Sequence, residues 1–305
     1  SGEEDKDVIY QPVYKVKGLA GAVYEITADE DVITPDGTLR YHKGDVVDTV
    51  TTNEDGKAKS KELYLGKYTV VETKAPNGMV INKEKHSVEL TYAGQDVAVT
   101  ETATSFVNER QKVKISLEKV LEQNETFGIG KNDKIKNISF GLYAKEDIVS
   151  SSGTVIPADG LIEIITLDEN GTATANTDLP FGSYYIKEIA TDEHYILSDT
   201  QYPFTFEYAG QDTETVEIKV NDGKPIENKL IYGSVSGKKI DENGEALGGA
   251  LIGIFKADET EYTKEHAIMT ATSEKDGSFS FAKVPYGKWI VREIEAPEGF
   301  VLDDT

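Results

Sequence analysis

Three residue types recur in this chain at spacings that could join two side chains covalently. A lysine follows an alternating run twice: Lys119 shares a strand face with Ile115 and Leu117, and Lys239 with Val235 and Gly237. The two-residue period of a strand therefore points both amines toward a core. An asparagine stands eleven residues before each lysine, Asn108 before Lys119 and Asn228 before Lys239. A glutamate closes each of three similar strands, at Glu72, Glu188 and Glu293. If the first and last strands of one sandwich are neighbours, a lysine and an asparagine meet inside it with the glutamate beside them. Burial lowers the pKa of a lysine and raises that of a glutamate, so both can be neutral. A neutral amine is a nucleophile. A protonated glutamate can polarise the carboxamide, shuttle protons and help ammonia leave. The product is an amide between Lys Nζ and Asn Cγ, formed once and never turned over. The plainer reading is a buried Lys–Glu ion pair, which leaves the intact mass equal to the sequence, whereas each amide subtracts one ammonia.

The elements that must position these residues repeat three times. Asn53 to Glu72, Asp168 to Glu188 and Glu274 to Glu293 each run from an acidic x-Gly turn through an alternating stretch and a second Gly turn to a strand ending in glutamate. The glycines supply positive-φ turn positions. The final runs, Tyr68 to Val71, Tyr184 to Ile186 and Trp289 to Val291, are rich in β-branched and aromatic residues. The glutamates recur roughly every hundred residues, the size of a whole β-sandwich rather than of a solenoid unit. Helical periodicity is weak, with the polar stretch 259–268 as the best candidate for a short helix.

Composition narrows the function. The 305 residues carry 32 basic and 55 acidic side chains, a net charge of −23. That argues against nucleic-acid binding and against docking on anionic membranes. No apolar run approaches about 18 residues, so no membrane insertion is expected. Cysteine is absent, which removes disulfides and thiolate chemistry. The histidines His42, His86, His194 and His266 lie far apart, and the acidic Gly turns lack the alternating spacing of a calcium loop. No metal or cofactor is expected, and no enzyme of the turnover kind.

Taken together, these features resemble tandem CnaB-type domains (SpaA-like, prealbumin-like) of Gram-positive surface adhesins and pilins. The residues that carry the resemblance are the Lys-Val/Ile ahead of a Gly-Ala strand (Gly21-Ala22, Gly249-Ala250), the closing Asn and the E-box. The E-box reads Tyr68-Thr-Val-Val-Glu72-Thr-Lys-Ala-Pro-Asn-Gly in the first copy and Trp289-Ile-Val-Arg-Glu293-Ile-Glu-Ala-Pro-Glu-Gly in the third. The middle copy departs from it, Glu188-Ile-Ala-Thr-Asp lacking Ala-Pro.

The resemblance implies an all-β chain of Ig-like, prealbumin-like CnaB sandwiches over 1–110, 111–230 and 231–305, the third truncated. It also implies an intramolecular Lys–Asn isopeptide bond in each complete domain, promoted by the glutamate. Carried over by position, the middle domain uses Lys119, Glu188 and Asn228. The first uses Glu72 and Asn108 with Lys15, or Lys17 on the same face. In the third, Lys239 and Glu293 have no partner, because the same spacing carries the Asn past Thr305. An open sheet edge follows there, through which an otherwise monomeric chain could exchange strands. The implied role is a stalk or shaft of an extracellular, cell-wall-associated protein of a Gram-positive bacterium. The alternative is a module that binds a host surface protein or a glycan, with 147–165 as its best candidate segment. Tyr24, Tyr64, Tyr68, Tyr143 and Tyr185 fall on alternating strands, where packing rather than ligand binding is the default.

Overall fold

The structure, a computed structural model, describes residues 8–130, 132–149, 153 and 155–305. It is nearly all β, built as three successive groups of strands. Two short 3-10 turns, Asn132–Asn137 and Val220–Gly223, are the helical pieces among the described residues. The expected helix over 259–268 is a set of turns instead. There the Glu259 carboxylate accepts from the amides of Thr260 and Glu261, and this local bonding competes with a helical ladder. Among the described residues no helix is long and apolar enough to cross a membrane.

The middle group is a complete sandwich. One antiparallel sheet orders Leu161–Thr166, Ser139–Ala144, Gly182–Ala190 and Gln201–Phe206. The facing sheet centres on the long opening strand Lys112–Leu121, with Thr172–Ala175 antiparallel on one side and Thr215–Lys219 parallel on the other. The closing strand Ile226–Asn228 also pairs with the opening strand, in parallel, placing Ile226 opposite Lys119 and Asn228 opposite Leu121. Along the opening strand, burial alternates strictly through Val113, Ile115, Leu117 and Lys119. The first three pack against Phe140, Leu142, Tyr184 and Ile186 of the opposite sheet. Ile148–Val149 and Val155–Ile156 form a small ribbon whose Ile148 and Ile156 enter this core. Residues 150–152 and 154 of the segment 147–165 lie outside the described residues.

The third group keeps five strands of this plan. Tyr232–Lys238 pairs with Ser278–Pro285, and Leu251–Lys256 lies between Met269–Thr272 and Trp289–Glu295. Its core of Ala250, Ile252, Ile254, Phe281 and Val284 also takes Phe127, from the loop that follows the middle opening strand.

The first group is the least regular of the three. Its strands form a four-stranded sheet, in the order Val46–Thr51, Val23–Ala28, Gly66–Lys74 and Lys85–Leu90, and a short ribbon of Val32–Ile33 with Leu39–Tyr41. Its core is small: Ile26, Ala28, Val32, Val47 and Tyr68. Among the described residues no strand answers to Lys112–Leu121. The segment before Gly18 turns to the middle group instead. Ile9 bridges Leu161 in parallel, the Tyr10 amide donates to the Leu161 carbonyl at 2.8 Å, and the Tyr14 hydroxyl donates to the Asp178 carbonyl at 2.8 Å.

One device recurs in all three groups. The aromatic residue two places after the second Gly turn donates from its polar tip to the carbonyl four residues back. Tyr68 reaches Tyr64 at 2.5 Å, Tyr184 reaches Pro180 at 2.7 Å and Trp289 reaches Pro285 at 2.8 Å. A large apolar ring thus fills the core while its donor is satisfied, which fixes where the E-box strand starts and so where its glutamate ends.

Candidate cross-link site

The middle copy brings its three residues into one dry cluster. Lys119, Glu188 and Asn228 are 1%, 3% and 2% exposed. Lys119 Nζ donates to Asn228 Oδ1 at 2.5 Å and lies 3.4 Å from Glu188 Oε1. Asn228 Nδ2 donates to both Glu188 oxygens, at 2.8 and 2.9 Å. It also lies 3.0 Å from Thr191 Oγ1. These acceptors hold the carboxamide with its nitrogen toward the acid and its oxygen toward the amine. Burial pushes the Lys119 amine below the usual lysine range, and the carboxylate beside it offsets part of that.

Two backbone contacts set the cluster. The Lys119 amide donates to the Gly171 carbonyl at 2.7 Å. Gly171 sits at φ +80°, and a Cβ there would lie 2.3 Å from the Lys119 carbonyl oxygen, so only glycine lets the turn come this close. The second contact is the amide ten residues after the glutamate, which donates to Oε2. It is Ser198 in the middle copy at 3.0 Å, Asn82 in the first at 2.6 Å and Asp303 in the third at 2.7 Å. Each glutamate is thereby held by the loop that leaves its own strand.

The other two copies hold parts of this arrangement. In the third, Lys239 Nζ lies 3.3 Å from Glu293 Oε1 and 3.9 Å from Asp303 Oδ2. Glu293 Oε1 is buried without a hydrogen bond; in the middle copy the corresponding oxygen receives the Asn228 amide. In the first, Asn108 Nδ2 donates to both Glu72 oxygens, at 3.0 and 2.8 Å. Lys15 and Lys17 are not brought to that pair. Both are exposed and in no strand, because residues 9–14 are tied to the middle group.

The sequence reading missed Thr191 and the ten-residue amide. Thr191 had a visible signal. It stands three places after Glu188, where Ala75 follows Glu72 and Ala296 follows Glu293. The departure from Ala-Pro thus adds a polar partner for the asparagine. The next residue, Asp192, takes the proline's place and accepts from Asn137 Nδ2 at 3.2 Å and the His194 amide at 3.0 Å. The backbone amide leaves no trace in residue types.

Comparison with known proteins bears on the family and the fold. The family model "SpaA: Prealbumin-like fold domain" matches residues 13–104, 125–224 and 233–305. The chain belongs to that family. The "Trypsin-resistant surface T6 protein" of Streptococcus pyogenes serotype M6 is 29% identical over 139 residues, 44% of this chain and 24% of that protein. The structure of "The Bacillus anthracis TIE protein" superposes with a TM-score of 0.60 at 23% identity, covering 97% of this chain and 46% of that one. A streptococcal ancillary pilin is also similar, at 20% identity and a TM-score of 0.32 over 96% of this chain and 88% of its own. The chain therefore spans about a quarter of the curated relative and just under half of the TIE protein. The SpaA-like assignment and the tandem sandwich plan expected from the sequence both stand.

Proposed function

We propose that this chain is a stalk segment of a Gram-positive cell-wall-associated surface protein, stapled by an isopeptide bond between Lys119 and Asn228. The observation that carries the reading is the shared oxygen: Glu188 Oε1 lies within reach of both the attacking amine and the departing carboxamide nitrogen. Nζ attacks Asn228 Cγ, and the C–N bond to Nδ2 breaks. Glu188 passes a proton from the amine to Nδ2, which leaves as ammonia, and the acid is regenerated. The arrangement needs a neutral amine, and burial favours that form of Lys119. The reaction happens once per chain.

The physics of a stalk supports the same assignment. Lys119 and Asn228 lie on the opening and closing strands of one sandwich, so pulling force passes through the new amide and spares the strands between. The bond closes 109 residues. By analogy with a disulfide, such a link adds on the order of 4–5 kcal/mol through the unfolded state, and an amide resists reduction. The joint ahead of the middle group is also tightly made. The Gln211 side chain accepts from the Ala75 amide at 2.9 Å, its carbonyl accepts from the Ile81 amide at 3.0 Å, and the Tyr208 hydroxyl donates to the Met79 carbonyl at 2.8 Å.

Intact mass tests the proposal. The purified chain should be one ammonia lighter than its sequence, and the Glu188→Ala variant should have the full mass. A parent chain of full mass would reject the bond and leave a buried ion pair.

A further inference from the structure

The first copy differs from the other two in what faces its glutamate. In the middle and third copies Glu Oε1 faces a lysine amine, at 3.4 and 3.3 Å. In the first copy Glu72 Oε1 receives the Tyr24 hydroxyl at 3.3 Å. Tyr24 is the cross-strand neighbour of Glu72, a place held by Phe140 opposite Glu188 and Ile252 opposite Glu293. Its ring is packed by Phe106, with centroids 4.8 Å apart, two residues before Asn108.

The backbone tells the same story. The turn glycines Gly171 and Gly277 press on the carbonyls of Lys119 and Lys239. Their counterpart Gly56 presses instead on Gly18, where a Cβ would come within 2.6 Å of the Gly18 Cα. A glycine thus occupies the place of the lysine. Lys15 and Lys17 lie before it, on a stretch where Val16 is fully solvent-exposed, and Tyr14 is held under the Arg110 guanidinium. Arg110 in turn pairs with Asp178 of the middle group.

We propose that the first copy is a non-covalent counterpart of the middle one, closed by hydrogen bonds from Tyr24 and Asn108 to Glu72 in place of a Lys–Asn amide. The stretch that would carry its lysine serves instead as a strap to the middle group. The comparison rests on the reading of the middle site given above, and the chain then contains a single cross-link.

Masses of the parent and of Lys119→Arg, with peptide mapping around Asn108, separate the two readings. The expected result is one ammonia lost in the parent, none in Lys119→Arg, and a linear peptide containing Asn108. An ammonia still missing from Lys119→Arg, or a branched peptide joining Asn108 to any lysine, overturns the non-covalent first copy whatever happens at Lys119. Full mass in both proteins overturns the middle bond and leaves the non-covalent first copy standing. The tyrosine is tested by hydrogen exchange in Tyr24→Phe, which keeps the ring on Phe106. Exchange at the Asn82 amide, which rests on Glu72, should speed up severalfold while the Ser198 amide is unchanged. Unaltered exchange at Asn82 overturns the role given to the hydroxyl.

Discussion

Phe127 packs edge-on against Trp289, ring centroids 4.9 Å apart and planes at 71°, although the two residues belong to different sandwiches. The loop carrying Phe127 leaves the middle opening strand, just after Lys119. Its ring is buried among Ile252, Ile254 and Phe281. The third group thus completes its core with a side chain from its neighbour, so its stability depends on the middle group's loop.

Phe127→Ala should therefore destabilise the third group by about 3–5 kcal/mol, the usual cost of deleting a buried phenylalanine. The middle core, which Phe127 does not enter, should be spared. Trp289 is the only tryptophan in the chain, so its emission reports on the third group alone. The variant should show a red-shifted Trp289 transition at lower denaturant, with the middle sandwich still protected from hydrogen exchange. Equal losses in both groups would contradict this division.

Thr191→Ala removes one of three acceptors that orient the Asn228 amide, while Glu188 remains. Losing one such hydrogen bond is worth roughly 1 kcal/mol, so bond formation should slow about fivefold and still reach completion. A mass time course during cell-free synthesis checks this. Glu188→Gln should give no bond at any time, and a Thr191→Ala rate equal to the parent would show that the hydroxyl does not orient the amide.

Gly171→Ala should impair both stability and cross-linking. The positive φ alone costs about 1–2 kcal/mol for an alanine, and the Cβ would also collide with the Lys119 carbonyl. Gly244→Ala is the control: its φ is +85° but nothing lies within 4 Å. The Gly244 variant should lose stability by the smaller amount and keep its mass deficit. If both variants were fully cross-linked, the close approach at Gly171 would not matter to the chemistry.

Alkali should unfold the first group before the middle one. Burial pushes Tyr68 from 10.0 up to about 12, and burial with the Glu72 carboxylate does the same to Tyr24. A phenol whose folded pKa is raised contributes stability that is complete below pH 10 and lost as pH rises toward 12. Burial raises Tyr184 and Tyr185 of the middle group as well, so the order is set by the small core of the first group and, on the proposal above, its lack of a cross-link. Phenolate absorbance followed with hydrogen exchange should show Tyr24 and Tyr68 ionising together with loss of the first sheet. Their ionisation near pH 10 in an intact fold would refute it.

What the sequence determined by itself was local and periodic. Alternation alone turned Lys119 inward with Ile115 and Leu117, and the Gly-turn repeat located all three glutamates at strand ends. The family motifs were legible for the same reason: turns and strand faces are set by neighbours a few residues away. Only the tertiary structure decided which strands became partners. The parallel seating of Ile226–Asn228 on Lys112–Leu121 joins residues 109 apart, and a face pattern does not name the strand that will cover it. The same limit hid the first copy's difference. Lys15 and Lys17 have the spacing of an inward strand, but the contacts of Ile9, Tyr10 and Tyr14 with the middle group compete for that stretch, and Tyr24 was there to satisfy Glu72 without them.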